Sequence, residues 1–98
     1  LELENGGIDF YNLAAAAGAR ITLIAPDGRV IRDSDAEASR MDNHAHRPEV
    51  ASALAGRNGS SVRLSGTLGQ KFLYVAVPSK QGAIRLAVTL AQIESQVN

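Results

Sequence analysis

Cysteine and tryptophan are absent from this chain of 98 residues, whose aromatic side chains are two tyrosines and two phenylalanines. The lack of cysteine excludes a disulfide scaffold, a thiolate zinc site and a cysteine nucleophile, but it leaves the redox compartment open. Four aromatic residues give little material for an aromatic ligand box or for a clamp around a flat cofactor. We therefore expect no bound cofactor.

An excess of charge of one sign is also lacking, since ten Lys and Arg residues balance ten Asp and Glu residues. The basic residues are scattered from Arg20 to Arg85. The sequence therefore lacks the electrostatic footprint of a protein that binds phosphate backbones. No nucleic-acid partner is expected.

Long hydrophobic runs and a signal-peptide pattern are missing as well, and the longest small apolar run is Leu13 to Ala17. The composition, 45% hydrophobic and 20% charged, is nevertheless that of a globular protein, and the length suits one core. We interpret residues 1–98 as a single domain. Because the chain begins at Leu1 without methionine, we expect it to be a piece of a longer protein.

The first third of the chain predicts a helix followed by a hairpin. Apolar residues at helical spacing between Ile8 and Ala15 indicate an N-terminal helix within residues 1–17. Two β-rich runs in residues 20–34 then flank Pro26-Asp27-Gly28, a turn sequence whose proline presets one dihedral angle and whose glycine tolerates positive φ.

A short helix is predicted next. Pro48 suits its first turn, Glu49 meets the positive end of its dipole, and Gly56 follows its end. Val50 and Leu54 lie four residues apart and are expected to face inward together.

Three further β-rich runs, SSVRLSG, QKFLYVAVP and AIRLAVT, predict a meander. Val62 and Leu64 alternate with polar residues in the first run, so one face of that strand is expected to be wet. Apolar residues occupy both faces of the second run, which predicts the central strand. Apolar residues at helical spacing then indicate an exit helix over residues 90–98. This order predicts a five-stranded antiparallel sheet with helices to one side, in the α+β class.

Three blocks of the sequence are specific in combination: DG.V..DS, NH..RPEV..AL.G..G and LYVA.P. Through them the chain, from about Gly18 to Ile93, resembles the extracytoplasmic PAS-like sensor domain, of the Cache or PDC type, of phosphate-regulon sensor histidine kinases. The resemblance implies a PAS-like sheet and a position outside the cytoplasmic membrane, in a parent protein that spans this membrane. A homodimer is expected on separate grounds, because the small alanines of residues 14–17 permit close approach of two helices and Phe10 and Tyr11 offer apolar surface.

The function implied by the resemblance is signal input. Such a domain relays contact with an extracytoplasmic or membrane protein, or an environmental signal, through paired helices, and it is not itself catalytic. In phosphate-regulon systems the family assigns phosphate status to transport proteins associated with the kinase rather than to this domain.

The charged stretch from Asp33 to Val50 is interpreted as a structural clamp that fastens the short helix to the end of the hairpin. The polar side chains assigned to this clamp are Asp33, Asp35, Asn43, His44, Arg47 and Glu49. Asn43 and His44 are expected to bond the backbone of the loop and helix start. The Arg47 guanidinium is expected to hold the carboxylate of Asp33 or Asp35 through two hydrogen bonds.

Two chemical alternatives were weighed for the same stretch. His44 and His46 could bind a divalent ion together with neighbouring carboxylates, but no third histidine or cysteine completes a zinc set, and we expect no metal. Ser34 or Ser39 could be activated by His44, but no GxSxG or other nucleophile motif surrounds them. We expect no catalysis.

The alternative function is a receptor for an anion or small metabolite. Its ligand would lie on the concave face of the sheet, beneath the loop from Asp33 to Arg47. The residues assigned to that site are Arg32, Arg63, Tyr74 and Arg85. The pocket is expected to be small or empty, because Cache domains that bind amino acids carry an aromatic-and-aspartate signature that this sequence lacks.

Overall fold

The computed structural model describes residues 18–64 and 70–91. It contains the strands β1 (Arg20–Ile24), β2 (Val30–Asp33), β3 (Gly59–Leu64), β4 (Lys71–Ser79) and β5 (Gly82–Thr89), the helix α1 (Pro48–Leu54) and a 3₁₀ turn (Ala38–Arg40). The N-terminal helix predicted for residues 1–17 lies outside the described residues. Of the predicted exit helix only residues 90 and 91 are described, and both are helical. Within the described ranges, no helix is long and apolar enough to cross a membrane.

The five strands form one antiparallel sheet in the order β2-β1-β5-β4-β3. This confirms the predicted hairpin, the predicted meander and the helix between the second and third strands. The arrangement fits the α+β class.

The prediction that the second run of the meander is the central strand was wrong. This run is β4, whereas β5 lies at the centre of the sheet between β1 and β4. The face of β4 that points away from α1 carries Leu73 and Val75, which are only partly buried. An apolar run on both faces therefore marks an interior strand here, but not the most deeply buried one.

The turn between β1 and β2 holds the following loop against the sheet. The Gly28 amide donates to the Ala25 carbonyl at 2.8 Å, which closes the turn. Gly28 has a φ of +91°, and a Cβ at this position would collide with Asn43 and Ala45. Its carbonyl accepts a hydrogen bond from the His44 amide at 2.8 Å. Glycine is therefore needed both for the backbone angle and for the close approach of the loop.

Helix α1 packs one apolar stripe on the sheet. Val50 and Ala53 are buried against Ile24, Ala76 and Ala83, which share one face of the sheet. Leu54 packs on the edge of this cluster, as its four-residue spacing from Val50 predicted. Gly56, with a φ of +92°, follows the end of the helix. On the opposite face of the sheet, the buried residues Ile21, Leu23 and Ile84 form a second cluster.

Strand β3 shows the expected alternation, but its exposed face is the apolar one. Val62 is 54% exposed and Leu64 is 64% exposed, whereas Ser61 and Arg63 are partly buried on the side that α1 covers. The polar residues of β3 therefore point toward the helix. The reason is the buried carboxylate of Glu49 on α1, which binds Arg63.

The close approach of α1 to β3 predicts that Gly59→Ala destabilises the domain. An added Cβ would lie 2.6 Å from the Glu49 carbonyl oxygen and 2.8 Å from the Ser52 Cβ, so the helix would have to move outward. We expect the free energy of unfolding in urea to fall by about 1–3 kcal/mol, as for other overpacked interiors. Ser60→Ala, at the exposed neighbouring position, is the control and should change it by less than about 0.5 kcal/mol. Equal stability of the two variants would show that the contact is not tight.

Candidate functional site

Three strands and one helix bring charged and aromatic side chains together beneath the start of α1. Strand alternation places Arg63 of β3, Tyr74 of β4 and Arg85 of β5 on the face of the sheet that α1 covers. Glu49 points down from the first turn of α1 and His44 from the preceding loop. We call these five residues the arginine cluster.

The carboxylate of Glu49 connects the two arginines of the cluster. Arg63 donates from Nη1 to Oε1 at 2.7 Å and from Nη2 to Oε2 at 3.0 Å, which is a bidentate pair. Arg85 donates from Nη1 to Oε2 at 3.2 Å. Glu49 is fully buried and Arg85 is only 6% exposed. One carboxylate on the helix is therefore bonded to two strands, β3 and β5, that lie on either side of β4.

Glu49 remains ionised in this buried position. Burial by itself would raise the pKa of the carboxyl, but the hydrogen bonds from Arg63 and Arg85 outweigh it and lower the pKa below its ordinary value. The same bonds act in the opposite direction on Arg63, whose pKa is raised by the Glu49 carboxylate. The cluster is thus a charged network rather than a neutral one.

The ring of Tyr74 forms the floor of the cluster. The guanidinium carbon of Arg63 lies 4.0 Å from the ring centroid and that of Arg85 lies 4.9 Å from it, both within the range of cation–π attraction. Phe72 stacks beside Tyr74, with ring centroids 6.1 Å apart. Both guanidinium planes are therefore fixed by a ring on one side and a carboxylate at the edge.

His44 links the loop to the cluster as a neutral imidazole. Its Nδ1 lies 2.8 Å from the Asp42 carbonyl and its Nε2 lies 3.3 Å from Nη2 of Arg85. Since Arg85 can only donate, Nε2 accepts and the proton is on Nδ1. Burial and the adjacent charge of Arg85 lower the pKa of His44 below its ordinary value.

The buried carboxylate of Asp33 forms a separate ion pair, with the partly exposed Arg20, at the other end of the loop. This carboxylate accepts from Nε of Arg20 at 2.9 Å and from the Thr22 hydroxyl. It also accepts from the amides of Asp35 and Ala36. Burial alone would raise the pKa of Asp33, but these bonds and the Arg20 charge lower it on balance.

The expected pairing of Arg47 with Asp33 or Asp35 was therefore wrong. Asp33 is occupied by Arg20 from the adjacent strand, and Asp35 is exposed and accepts from the Ser34 hydroxyl. The Arg47 side chain is exposed and makes no hydrogen bond or ion pair with the described residues. The register of β1 against β2 determines the partner of Asp33, because it places Thr22 opposite Asp33 and brings Arg20 of the same strand within reach.

Two other members of the expected clamp, Asn43 and His44, contact the loop backbone as predicted. Asn43 donates from Nδ2 to the Asp27 carbonyl at 3.0 Å and accepts from the Ala45 amide at 2.8 Å. The His44 carbonyl accepts from the Arg47 amide at 3.0 Å, just before α1 begins. These bonds join the hairpin turn, the loop and the helix start.

The two histidines of the loop do not converge. His44 is buried with both ring nitrogens occupied, whereas His46 is exposed. In residues 18–64 and 70–91, no three His, Asp or Glu side chains are grouped so that they could hold a metal ion. Ser34 donates to Asp35 and accepts from the Ile21 amide, so its hydroxyl is engaged away from His44.

A cavity of about 390 Å³ opens beside the cluster. The residues that line it are His46, Arg47, Pro48, Arg63, Tyr74 and Arg85. Three of the four residues assigned to a ligand site from the sequence therefore meet here. Arg32 is not among them, since it lines a separate depression formed by residues 31–38.

Sequence reasoning assigned Glu49 to the helix dipole and to the clamp, but it missed the bonds of its carboxylate to Arg63 and Arg85. The helical spacing could have indicated that Glu49 faces the sheet, because it lies four residues before the apolar Ala53 and therefore shares its inward face. Arg63 also alternates with the apolar Val62 and Leu64, which marks it as a residue of the opposite face of β3.

Comparisons of the chain with protein-family models, with curated proteins and with solved structures found no match.

The buried position of Glu49 predicts a large cost for Glu49→Gln. Loss of the charge leaves Arg85 buried without a counter-ion, so the free energy of unfolding should fall by about 3 kcal/mol or more. Glu37→Gln is the matched control, because Glu37 also pairs with an arginine, Arg40, but their side chains are 69% and 83% exposed. The control should change stability by less than about 1 kcal/mol. Urea unfolding that gives the same small change for both variants would rule out a buried ion network.

The lowered pKa of His44 predicts a loss of stability on acidification. As pH falls through the ordinary histidine value of about 6.5, the unfolded chain takes up a proton that the folded chain does not. The free energy of unfolding should therefore fall between pH 7.5 and pH 5.5. His44→Gln should flatten this slope, whereas His46→Gln, at an exposed position, should retain it. Identical slopes in the two variants would contradict the assignment.

Proposed function

We propose that this chain is the extracytoplasmic signal-input domain of a membrane-bound two-component sensor histidine kinase, of the PAS-like Cache or PDC type. The observation that carries the proposal is that the three blocks behind the resemblance meet in one interior network. Gly28 of the first block bonds His44 of the second. Tyr74 of the third supports Arg63, which holds Glu49 of the second.

The architecture also supports the proposal. The resemblance calls for a five-stranded antiparallel sheet with a short helix between the second and third strands, and both features are present. The contacts of Asn43, His44 and Glu49 lie inside the domain, where they hold its parts together. Residues that are specific to the blocks thus maintain the shape of the domain.

In the proposed function the domain is a relay and performs no chemistry. Contact with an extracytoplasmic or membrane protein shifts the sheet, and the shift passes through the paired helices of a kinase dimer. Helix α1, which is bonded to the sheet through the buried carboxylate of Glu49, moves with the sheet rather than independently. Phosphoryl transfer belongs to other parts of the parent protein.

A receptor for a small anion or metabolite is the second candidate. The observation that favours it is the cavity, which Arg47, Arg63 and Arg85 line together. A volume of about 390 Å³ lies within the range of small-molecule sites. Signal input and ligand binding are compatible, because a ligand that bridges the loop and the sheet would itself be a stimulus.

The proposed location can be tested by cysteine labelling, because the chain has no cysteine of its own. Ser39→Cys, at an exposed position, is introduced into the full-length parent protein and intact cells are treated with a membrane-impermeant maleimide. We expect labelling above the background of the unsubstituted parent. Ala53→Cys, at a position that is 1% exposed, is the control and should react only after denaturation. Labelling of Ser39→Cys only after cell lysis would refute the extracytoplasmic location.

A further inference from the structure

We infer that the cavity beside the start of α1 binds a small dianion through Arg47, Arg63 and Arg85. Carboxylate and phosphate groups share the required chemistry, which is a compact group of oxygens that accept charge-assisted hydrogen bonds. The inference rests on the second candidate function, the anion receptor, and specifies the class of its ligand.

The charge balance of the cavity sets the charge of the ligand. Three guanidinium groups line the cavity, and the described lining includes no acidic side chain. The carboxylate of Glu49 is bonded to two of these three arginines, Arg63 and Arg85. His44 beside Arg85 is neutral. Glu49 balances one of the three positive charges at the cavity, so two are left, and a dianion would balance them.

The hydrogen-bond inventory points to the same class of ligand. Nε of Arg85 is buried and has no partner in the described structure. A buried donor of this kind costs free energy unless a partner is supplied. The Arg47 guanidinium makes no hydrogen bond or ion pair with the described residues, and the Arg63 side chain is 33% exposed. Arg47 and Arg63 can therefore donate to a ligand without giving up their present bonds, and Arg85 adds its charge and an unpartnered donor beside them.

The cluster is organised before the ligand arrives. The Arg63 guanidinium is held by a bidentate bond to Glu49 and by the Tyr74 ring, so its free edge has a fixed direction. Pre-organised donors of this kind lose little conformational entropy on binding. The lining has one aromatic ring, already covered by the arginines, which favours a compact polar ligand over a flat aromatic one.

A bound dianion would connect two parts of the fold. Arg47 is the residue that precedes α1, whereas Arg63 and Arg85 belong to the sheet. Oxygens bonded to both sides would draw the loop before α1 onto the sheet. This gives the receptor a direct route from ligand to conformation.

The test is isothermal titration calorimetry of the domain at pH 7.5 with three named probes. Succinate and inorganic phosphate are the dianions, acetate is the monoanion, and sodium chloride keeps the ionic strength constant. We expect saturable one-to-one binding of at least one dianion, and its identity separates a carboxylate source from a phosphate source. Acetate should bind at least about tenfold more weakly.

Matched variants distinguish the cavity from general attraction to a cation. Arg47→Gln removes an exposed side chain that lines the cavity, and it should weaken dianion binding at least about tenfold. Arg57→Gln removes the same charge from an exposed position after the other end of α1, and it should leave the dissociation constant unchanged. Urea unfolding of both variants confirms that each is folded.

The outcomes separate the proposals. Acetate binding equal to that of succinate and phosphate would overturn the dianion class while the receptor function stands. Equal weakening by Arg47→Gln and Arg57→Gln would overturn the site. Failure of both dianions to bind would overturn this inference and remove its support from the receptor function. Signal input by protein contact would be unaffected by any of these results.

Discussion

The buried carboxylate of Glu49 is the interaction on which the rest of the structure depends. It is the point where α1 is bonded to the sheet by charge as well as by apolar packing, through Arg63 on β3 and Arg85 on β5. The apolar contacts of Val50 and Ala53 stabilise the packing of α1 on the sheet, but they do little to fix its orientation. The bidentate geometry of a guanidinium and a carboxylate fixes both the rotation and the position of the helix.

This network specifies how α1 is positioned on the sheet more than it adds to the free energy of unfolding. Removing two charges from water is costly, and a buried ion pair often contributes no more than apolar residues of the same volume would. Removing one partner of the ion pair is strongly destabilising, because the remaining charge is then buried without a counter-ion. The same constraint explains the cavity, since Glu49 satisfies part of the arginine cluster and leaves its outer face positively charged. Asp33 plays the corresponding role at the far end of the loop, where it is bonded to Arg20 and Thr22.

Elements defined by local signals could be predicted from the sequence. Pro26-Asp27-Gly28 specified the hairpin, and Pro48 and Gly56 bounded α1, because each acts on the backbone within a few residues. The grouping of Arg63, Tyr74 and Arg85 on one face followed from strand alternation once the meander was recognised.

Pairings between distant residues could not be predicted in the same way. Arg47 and Arg20 are equally suitable partners for Asp33 by chemistry, and strand register decided between them. Alternation predicted that one face of β3 is wet, but that face carries Val62 and Leu64, because α1 covers the other face and binds Arg63 there through Glu49. Which face a helix covers is a property of the whole fold, not of one strand.

The most direct test of the central claim is a double-mutant cycle between Glu49 and Arg85, using Glu49→Leu, Arg85→Met and the double variant in urea unfolding. Glu49→Leu leaves the buried Arg85 without a counter-ion, and Arg85→Met removes one of the two arginines bonded to the Glu49 carboxylate. If the carboxylate holds the helix through this pair, the double variant should cost at least about 2 kcal/mol less than the two single costs together. Additive costs, with a coupling energy near zero, would contradict the claim that this interaction holds α1 on the sheet.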